Sequence, residues 1–212
     1  MKRILSIDFD WIMRPYIEMY NDVCGASANI DDLRGMWEFI DCKLQGFELH
    51  CCEAQFADLA LFLKNITDTL PADHLHFILH HDSVIQVLNQ CNITEPISLT
   101  NVDHHHDFGY PPKDSTEPFD QYVTVANWVR CLWKEDRLEH YTWVGNENSA
   151  GVQMVEDSLH EKFSFYTDLR KIDQWHFDEI IICFSQEWIP PMVRPLFYVL
   201  KELIDRNNTP II

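Results

Sequence analysis

The sequence predicts an α/β fold, a mostly parallel and doubly wound sheet with helices on both faces. Short apolar runs rich in β-branched and aromatic residues alternate along the chain with segments whose apolar residues recur at helical spacing. The apolar runs are nearly continuous, which is typical of parallel strands that are buried on both faces. The chain has 212 residues, enough for one sizeable core, so residues 1–212 are expected to form a single domain.

Six apolar runs are expected to form the strands of this sheet. They cover residues 4–7, 75–79, 97–99, 141–144, 163–166 and 179–184. The last run contains three consecutive isoleucines, a residue type that favours strands over helices.

Helices are predicted between these strands. The first well-defined helix would bury one face that carries Cys52, Phe56, Leu59, Ala60 and Leu63. Shorter helices are expected at 16–23, 31–39 and 84–89, and a longer one at 119–134.

Two prolines, Pro190 and Pro191, are predicted to open the final helix, because proline is well tolerated at a helix start. The buried face of this helix is expected to comprise Val193, Leu196, Phe197, Leu200 and Leu203.

The charge and the cysteines limit the function classes. A formal charge of −18 argues against nucleic-acid or anionic-membrane binding, since both need a basic face, and it favours a cationic substrate or partner. No apolar run approaches the roughly 20 residues that span a bilayer, and the first apolar stretch is too short for a signal peptide.

The seven cysteines form no C-x-x-C pair and are expected to be reduced thiols in a cytoplasmic protein. A monomer and an oligomer are both compatible with the sequence.

The densest group of potential metal ligands is Asp103-His104-His105-His106-Asp107, directly after a predicted strand. In an extended backbone alternate side chains share one side, so Asp103, His105 and Asp107 are expected to point the same way. Oxygen and imidazole ligands together suit a borderline divalent ion such as manganese, zinc or iron. The alternative interpretation is a polar, histidine-rich loop.

Four predicted strands end in acidic or histidine residues. These groups are Asp8 with Asp10, His80-His81-Asp82, residues 103–107, and Glu187. They are expected to converge, because the carboxyl ends of parallel strands form the ligand crevice of such a sheet. Their number exceeds the three or four protein ligands of a single-metal site, which favours two metals. Alternatively, Asp8 and Asp10 could cap a turn, and Glu187 could be a charge at a helix start.

These residues resemble motifs of the arginase and ureohydrolase superfamily. The segment Leu5-Ser6-Ile7-Asp8-Phe9-Asp10 is similar to its D-x-D motif, and Asp103-His104-His105-His106-Asp107 is similar to its D-x-H-x-D motif. The segment Glu187-Trp188-Ile189-Pro190 resembles the E-x-x-P of arginases, in which the glutamate binds the substrate guanidinium. The similarity is closest to the peptide arginases, which act on ribosomally made precursor peptides.

The resemblance implies an arginase-like three-layer sandwich that holds two manganese ions. Asp8 and Asp103 would bridge the ions. His81 and Asp107 would complete the site of one ion, and Asp10 and His105 would complete the site of the other.

The implied reaction converts arginine side chains of a precursor peptide to ornithine and releases urea. Glu187 would orient the guanidinium through charge-assisted hydrogen bonds, and Asn127 and Trp188 are further candidates for substrate contact. His80 and His106 are candidates for the proton-shuttle histidine, as is His104. Asn127 could instead hydrogen-bond locally, and Trp188 could be a core aromatic residue.

The chain also departs from the family pattern. The D-x-D strand comes first instead of after the D-x-H-x-D strand, so the order looks permuted, and the chain is shorter than a typical arginase. The family's G-G-D-H-S segment is replaced by His80-His81-Asp82-Ser83. Alignment on the imidazole favours His81 as the ligand, whereas His80 and Asp82 remain alternatives.

Two other functions are compatible with these motifs. One is a related metal hydrolase with a small cationic substrate, such as an agmatinase-like enzyme, or a zinc deacetylase. The other is a non-catalytic relative that binds a peptide.

Overall fold

A six-stranded sheet with all strands parallel forms the middle layer of the computed structural model. The structure describes residues 1–13, 53–68, 70–108, 123–146, 149, 161–186, 188–205 and 210–212. The strands are β1 (Arg3–Asp8), β2 (Leu75–Ile78), β3 (Ile97–Val102), β4 (Leu138–Val144), β5 (Phe163–Tyr166) and β6 (Glu179–Cys183). Their order in the sheet is β2-β6-β1-β3-β4-β5. Each of the six predicted strands is present, within a few residues of its expected bounds.

In the described part of the chain, four α-helices cover the two faces of the sheet. They are α1 (Glu53–Thr67), α2 (Val84–Gln90), α3 (Trp128–Lys134) and α4 (Arg194–Ile204). Helices α1 and α4 share a hydrophobic cluster with Leu5 and Ile7 of β1. Helices α2 and α3 share a second cluster with Ile4 on the opposite face of the same strand. The α/β class with a parallel sheet and helices on both faces is therefore confirmed.

Helix α3 begins later than predicted. The segment 119–134 was expected to be helical, but residues 123–127 are turn or irregular, and residues 119–122 lie outside the described part of the chain. Oδ1 of Asn127 accepts a hydrogen bond from the Thr124 backbone N–H at 2.7 Å. Such side-chain bonds compete with helical ones, so the helix starts only at Trp128.

Helix α4 also begins later than predicted, at Arg194. The carbonyl of Pro190 accepts hydrogen bonds from the backbone N–H groups of Val193 and Arg194, which places a turn before the helix. Leu203 was expected on the buried face but is 56% exposed, whereas Ile204 is buried. Helical spacing explains the exchange, because Phe197, Leu200 and Ile204 recur at i, i+3 and i+7 on one face, whereas Leu203 lies beside that face.

The helices predicted at 16–23 and 31–39, and Cys52 on the face predicted for α1, lie outside the described residues. Within α1, Leu59 and Leu63 are buried as expected, and Phe56 and Ala60 are partly buried against the same cluster. None of the helices in the described part of the chain is long and apolar enough to span a bilayer.

The strand order places a switch point between β1 and β3. The chain leaves β1 toward β2 on one side of the sheet, and it leaves β3 toward β4 on the other. In parallel sheets of this kind, ligands bind in the crevice that opens beyond the carboxyl ends of two such strands. Here those ends are Asp8 and Val102.

Candidate metal centre

Residues that follow four strands meet at the carboxyl edge of the sheet. Strands β1 and β3 are direct neighbours, and β6 lies on the other side of β1. The residues beyond these ends, together with the short turn that follows β2, supply the side chains of the site. Strand polarity alone brings them together, since parallel strands all end at one edge.

The first ligand cluster centres on Nδ1 of His81. This atom lies 2.8 Å from Oδ2 of Asp107, 3.1 Å from Oδ2 of Asp8 and 3.2 Å from Oδ2 of Asp103. All four residues are buried. Asp8, His81 and Asp103 place ligand atoms within 4.8 Å of one another, so this group could hold a metal ion.

The spacing of these atoms suits a divalent ion. Ligands at about 2.1 Å from such an ion lie about 3.0 Å from their neighbours in an octahedral site. Among the described residues Nδ1 of His81 finds no hydrogen-bond partner of acceptable geometry, although three carboxylate oxygens surround it. One proton on the ring can serve only one of these oxygens, whereas a cation among the four atoms contacts all of them. The donor set therefore fits a metal ion.

A second cluster adjoins the first and consists of Asp10, Asp103 and His105. Nδ1 of His105 lies 3.2 Å from Oδ2 of Asp10 and 3.9 Å from Oδ1 of Asp103. Asp103 thus presents Oδ2 to the first cluster and Oδ1 to the second. The two aspartates are buried, whereas the His105 side chain is 25% exposed, so the second cluster is the one that reaches solvent.

The stretch 103–107 is a turn and not an extended continuation of β3. The His105 backbone N–H donates to Oδ1 of Asp103 at 2.8 Å, and Asp107 has a left-handed backbone with φ 50°. Asp103, His105 and Asp107 do converge as expected, but the extended backbone from which this was predicted is not observed. Their side chains converge because the chain turns, and aspartate tolerates both the local hydrogen bond and the positive φ.

Asp8 uses both of its carboxylate oxygens. Oδ1 accepts the Asp10 backbone N–H at 3.1 Å and so caps the 3₁₀ turn Phe9–Ile12, as the alternative interpretation expected. Oδ2 faces His81 and accepts a hydrogen bond from Oγ of Ser185 at 2.6 Å. Capping and participation in the cluster are compatible, because each involves a different oxygen.

Sequence analysis missed two buried polar residues that hold these ligands. Oγ of Ser6 lies 2.8 Å from Nε2 of His81, and Nδ2 of Asn101 donates to Oδ2 of Asp103 at 3.1 Å. Both residues are completely buried within strands. The signal was present in the sequence, because each is a polar residue inside an otherwise apolar strand, where it needs a partner.

Two buried tryptophans hydrogen-bond to the turn at residues 103–107. Nε1 of Trp128 donates to Oδ2 of Asp107 at 2.6 Å, and Nε1 of Trp143 donates to the carbonyl of Asp103 at 2.9 Å. The Trp128 ring also lies 4.9 Å from the ring of His81. Both tryptophans therefore combine a core role with a polar contact to the site.

The two remaining histidines of the stretch are buried and do not join either cluster of the described residues. Nδ1 of His104 lies 3.0 Å from Nδ2 of Asn146, and Nδ1 of His106 accepts the Phe108 backbone N–H at 3.0 Å. Burial, followed by the charge of His105, lowers the pKa of both His104 and His106 to about 4. Both rings are therefore neutral near pH 7.

The pKa values of the two histidines in the clusters, His81 and His105, shift in the opposite direction. Burial would lower the pKa of His81, but the charges of Asp107 and Asp8 outweigh it and raise the pKa well above its usual value. Burial likewise opposes charge on His105, yet its hydrogen bond with Asp10 and the negative charge there raise the pKa to about 10. Burial and the charge of Asp107 raise the pKa of Asp103 to about 7. The crowded carboxylates thus favour protonation of these three groups, and a bound cation would be favoured for the same reason.

The other predicted residues lie as follows. Of the three alternatives after β2, only His81 enters a cluster, whereas His80 and Asp82 are half-buried outside both. Asn127 is buried and accepts the hydrogen bond from Thr124 described above, as the alternative of a local hydrogen bond expected. The half-buried Trp188 has its ring centre 6.0 Å from that of His105.

Glu187, the predicted substrate-binding residue, lies outside the described residues. Its two neighbours in sequence, Gln186 and Trp188, are described, and Trp188 stands beside the second cluster.

Comparisons with known proteins give no match to a family model, to a curated protein or to a solved structure. The function is therefore inferred from the residues and the geometry of the site.

Proposed function

We propose that this protein is a hydrolase that uses two manganese ions to convert arginine side chains of a ribosomally made peptide to ornithine, with release of urea. The observation that carries the proposal is the position of the Asp103 carboxylate. Its two oxygens face two separate ligand clusters, at 3.2 Å from His81 and 3.9 Å from His105. A carboxylate shared in this way is what a pair of adjacent ions requires.

The charge of the site supports a pair of dications. Four aspartates take part in the two clusters, namely Asp8, Asp10, Asp103 and Asp107. Their four negative charges equal the charge of two divalent ions. Buried carboxylates at this spacing are costly unless a cation compensates them. Among the described residues the donors of these clusters are carboxylate oxygens and imidazole nitrogens, a set that suits manganese.

When bound, two such ions would lower the pKa of a water molecule and so supply a nucleophile at neutral pH. The chain itself would hold the ligands in place. Ser6 and Asn101 fix His81 and Asp103, and Trp128 fixes Asp107. Hydrolysis then forms a bond from the water oxygen to the guanidinium carbon and breaks the bond from that carbon to the side-chain nitrogen, which takes up a proton.

Arginine is the substrate favoured by the resemblance to the peptide arginases and by the acidic charge of the chain. A guanidinium carries a delocalised positive charge and presents several donors, which a carboxylate such as Glu187 could bind in pairs. Trp188 beside the second cluster offers a flat surface to the same group. His80 and His106 remain candidates for proton transfer, although His106 is completely buried and His80 is half-buried.

The proposal is tested with manganese-loaded protein and arginine-containing peptides. Urea is assayed, and the peptide is searched by mass spectrometry for the loss of about 42 Da per arginine that guanidinium hydrolysis produces. Asp103→Asn keeps the shape of the side chain but removes the charge shared by the clusters. We expect the rate of urea release to fall at least about 100-fold in this variant. Removing a group that only hydrogen-bonds to a metal ligand typically lowers metal affinity or activity by about 10–100-fold, and Asp103 would itself be a ligand.

Asp173→Asn is the matched control, because Asp173 is an exposed aspartate outside both clusters. It is expected to retain full activity. Free arginine and agmatine are assayed in parallel, and urea from these alone would redirect the proposal to a small-molecule ureohydrolase. If fully loaded protein leaves peptides and small guanidines unchanged, the hydrolase proposal is wrong.

A further inference from the structure

A second group of potential metal ligands lies at the opposite, amino-terminal edge of the sheet. Nε2 of His76 is 3.0 Å from Oε2 of Glu179 and 3.8 Å from Sγ of Cys91. These three residues place one ligand atom each within 4.8 Å of one another. Glu179 begins β6 and Cys183 ends it. At about 3.3 Å per residue, the group is on the order of 13 Å from the carboxyl edge.

The fold explains why these three side chains meet. His76 lies two residues before Ile78, and Glu179 lies two residues before Ile181, so both share the face of the sheet on which those isoleucines are buried. Helix α2 covers that face, and Cys91 directly follows its last residue. Three different elements thus direct an imidazole, a thiol and a carboxylate to one point.

We propose that His76, Cys91 and Glu179 form a second metal site, separate from the carboxyl-edge clusters, that takes zinc or a chemically similar transition-metal ion. The donor set differs from that of the first site because it includes a thiol. Sulfur and imidazole ligands together select zinc and related ions over manganese. Three protein ligands leave a fourth position for water or another small ligand.

The distances agree with a tetrahedral ion. With zinc bonds of about 2.3 Å to sulfur and 2.0–2.1 Å to nitrogen and oxygen, tetrahedral geometry separates nitrogen from sulfur by about 3.6 Å and nitrogen from oxygen by about 3.4 Å. The corresponding distances from Nε2 of His76 are 3.8 Å to Cys91 and 3.0 Å to Glu179. Shifts of a few tenths of an ångström would therefore be enough to seat the ion.

A fourth residue orients the carboxylate. Nδ1 of His74 lies 3.0 Å from Oε1 of Glu179 and 2.8 Å from the carbonyl of Asp178. An imidazole that donates to a metal-binding carboxylate is a common support for such sites. Glu179 is buried, and its other oxygen, Oε2, faces His76. His76 and Cys91 are partly exposed, so an ion can reach the group from solvent.

Binding would exchange protons for the metal ion. The Cys91 thiol loses its proton to solvent, and Nε2 of His76 must be deprotonated to coordinate. The hydrogen bond between His76 and Glu179 is replaced by one bond from each residue to the ion. No oxidation or reduction takes part.

Cobalt is the probe, because thiolate-bound Co²⁺ gives a charge-transfer absorption band in the near ultraviolet, and zinc displaces it. The protein used is the Asp103→Asn variant, in which metal binding at the carboxyl-edge clusters is expected to be weakened. We expect one equivalent of Co²⁺ to give this band and zinc to abolish it. The Cys91→Ser variant should lose the band and weaken zinc binding by about 100-fold or more, since losing a direct ligand should cost at least as much as losing an outer contact.

Cys131→Ser is the matched control, because Cys131 is also a partly buried cysteine but lies on α3 and outside the group. It should keep the band. Glu179→Gln retains the size of the side chain and is expected to weaken zinc binding while the band remains. Thermal unfolding of each variant without metal confirms that it is folded. Absence of the band in the Asp103→Asn protein, or its persistence when Cys91→Ser is added to that protein, would overturn the proposal. Neither carboxyl-edge cluster contains a cysteine among the described residues, so failure here would leave the proposed hydrolase untouched.

Discussion

Asp103 is the residue on which the candidate metal centre depends most. Its side chain faces both clusters, and its position is fixed from two directions. Asn101 donates to Oδ2, and Trp143 donates to the backbone carbonyl. A ligand that is already held in the binding geometry loses little freedom when the ion arrives, which favours tight binding. Asp103 therefore owes its role as much to buried neighbours as to its own charge.

Ser6 provides a test of this dependence on buried neighbours. Its hydroxyl lies 2.8 Å from Nε2 of His81 and so fixes the ring whose Nδ1 faces the carboxylates. Ser6→Ala removes only this oxygen and should weaken manganese binding by about 10–100-fold, the usual cost of losing a partner behind a metal-bound histidine. Isothermal titration calorimetry on metal-depleted protein measures the change.

The control for this prediction is Ser98→Ala. Ser98 lies on β3 at the opposite end of the sheet, where it is paired with Arg3. Its substitution should leave manganese affinity unchanged. Equal affinities of Ser6→Ala and the parent protein would show that the Ser6 contact does not orient His81.

At the scale of elements, the strands and the start of α2 at Val84 could be predicted, whereas the starts of α3 and α4 could not. Strands are marked by their own composition, as in the three isoleucines of β6. The starts of α3 and α4 depend instead on individual hydrogen bonds, to Oδ1 of Asn127 and to the carbonyl of Pro190. The spacing of apolar residues gives no sign of such hydrogen bonds, so α3 and α4 were predicted to begin too early.

The same distinction applies to the candidate site. Its ligands could be proposed from sequence because each follows a recognisable strand, and parallel strands end at one edge. The shape of the turn at 103–107 could not, because it depends on the His105 N–H bond to Asp103 and on the left-handed backbone of Asp107. Ser6 and Asn101 are not ionisable, so the pattern of charged residues does not reveal them, although a buried polar residue within a strand also needs a partner.

Two leucines of helix α4, one buried and one exposed, test which face of the helix packs against the core. Leu200 is buried in the cluster shared with α1, whereas Leu203 is 56% exposed. Leu200→Ala should lower the free energy of unfolding by about 2–5 kcal/mol, because it removes buried contacts and leaves a cavity. Leu203→Ala should change it by no more than about 0.5 kcal/mol. Urea denaturation of both variants gives the comparison, and equal losses would mean that the helix buries the face predicted from sequence.

At the scale of the whole molecule, the acidic residues differ in how strongly they repel one another. The chain carries a formal charge of −18, and exposed carboxylates in water repel one another only weakly at physiological salt. The four aspartates of the two clusters are buried and close together, so their repulsion is much less screened. Stability should therefore respond to metal far more strongly than the overall charge suggests.

This response should depend on pH in a definite direction. Burial and the charge of Asp107 raise the pKa of Asp103 to about 7, and the contacts of His105 with Asp10 outweigh burial and raise the pKa of that imidazole to about 10. A group whose pKa is raised on folding stabilises the fold at low pH and loses that contribution as pH rises through the folded value. For Asp103 the loss falls between about pH 4 and 7, and for His105 it continues up to about pH 10.

In a chelator, the metal-free protein should lose the stabilisation that these groups contribute as pH rises. Manganese, in contrast, binds better once the ligands have lost their protons. We expect the increase in Tm that manganese produces over a chelator to be clearly larger at pH 8 than at pH 5.5. Differential scanning fluorimetry at both values, with Asp103→Asn as the variant that should respond weakly at either pH, measures the effect. Protons and metal ions compete for the same buried atoms in this scheme, so a metal response that stayed constant between pH 5.5 and 8 would mean that manganese binds elsewhere.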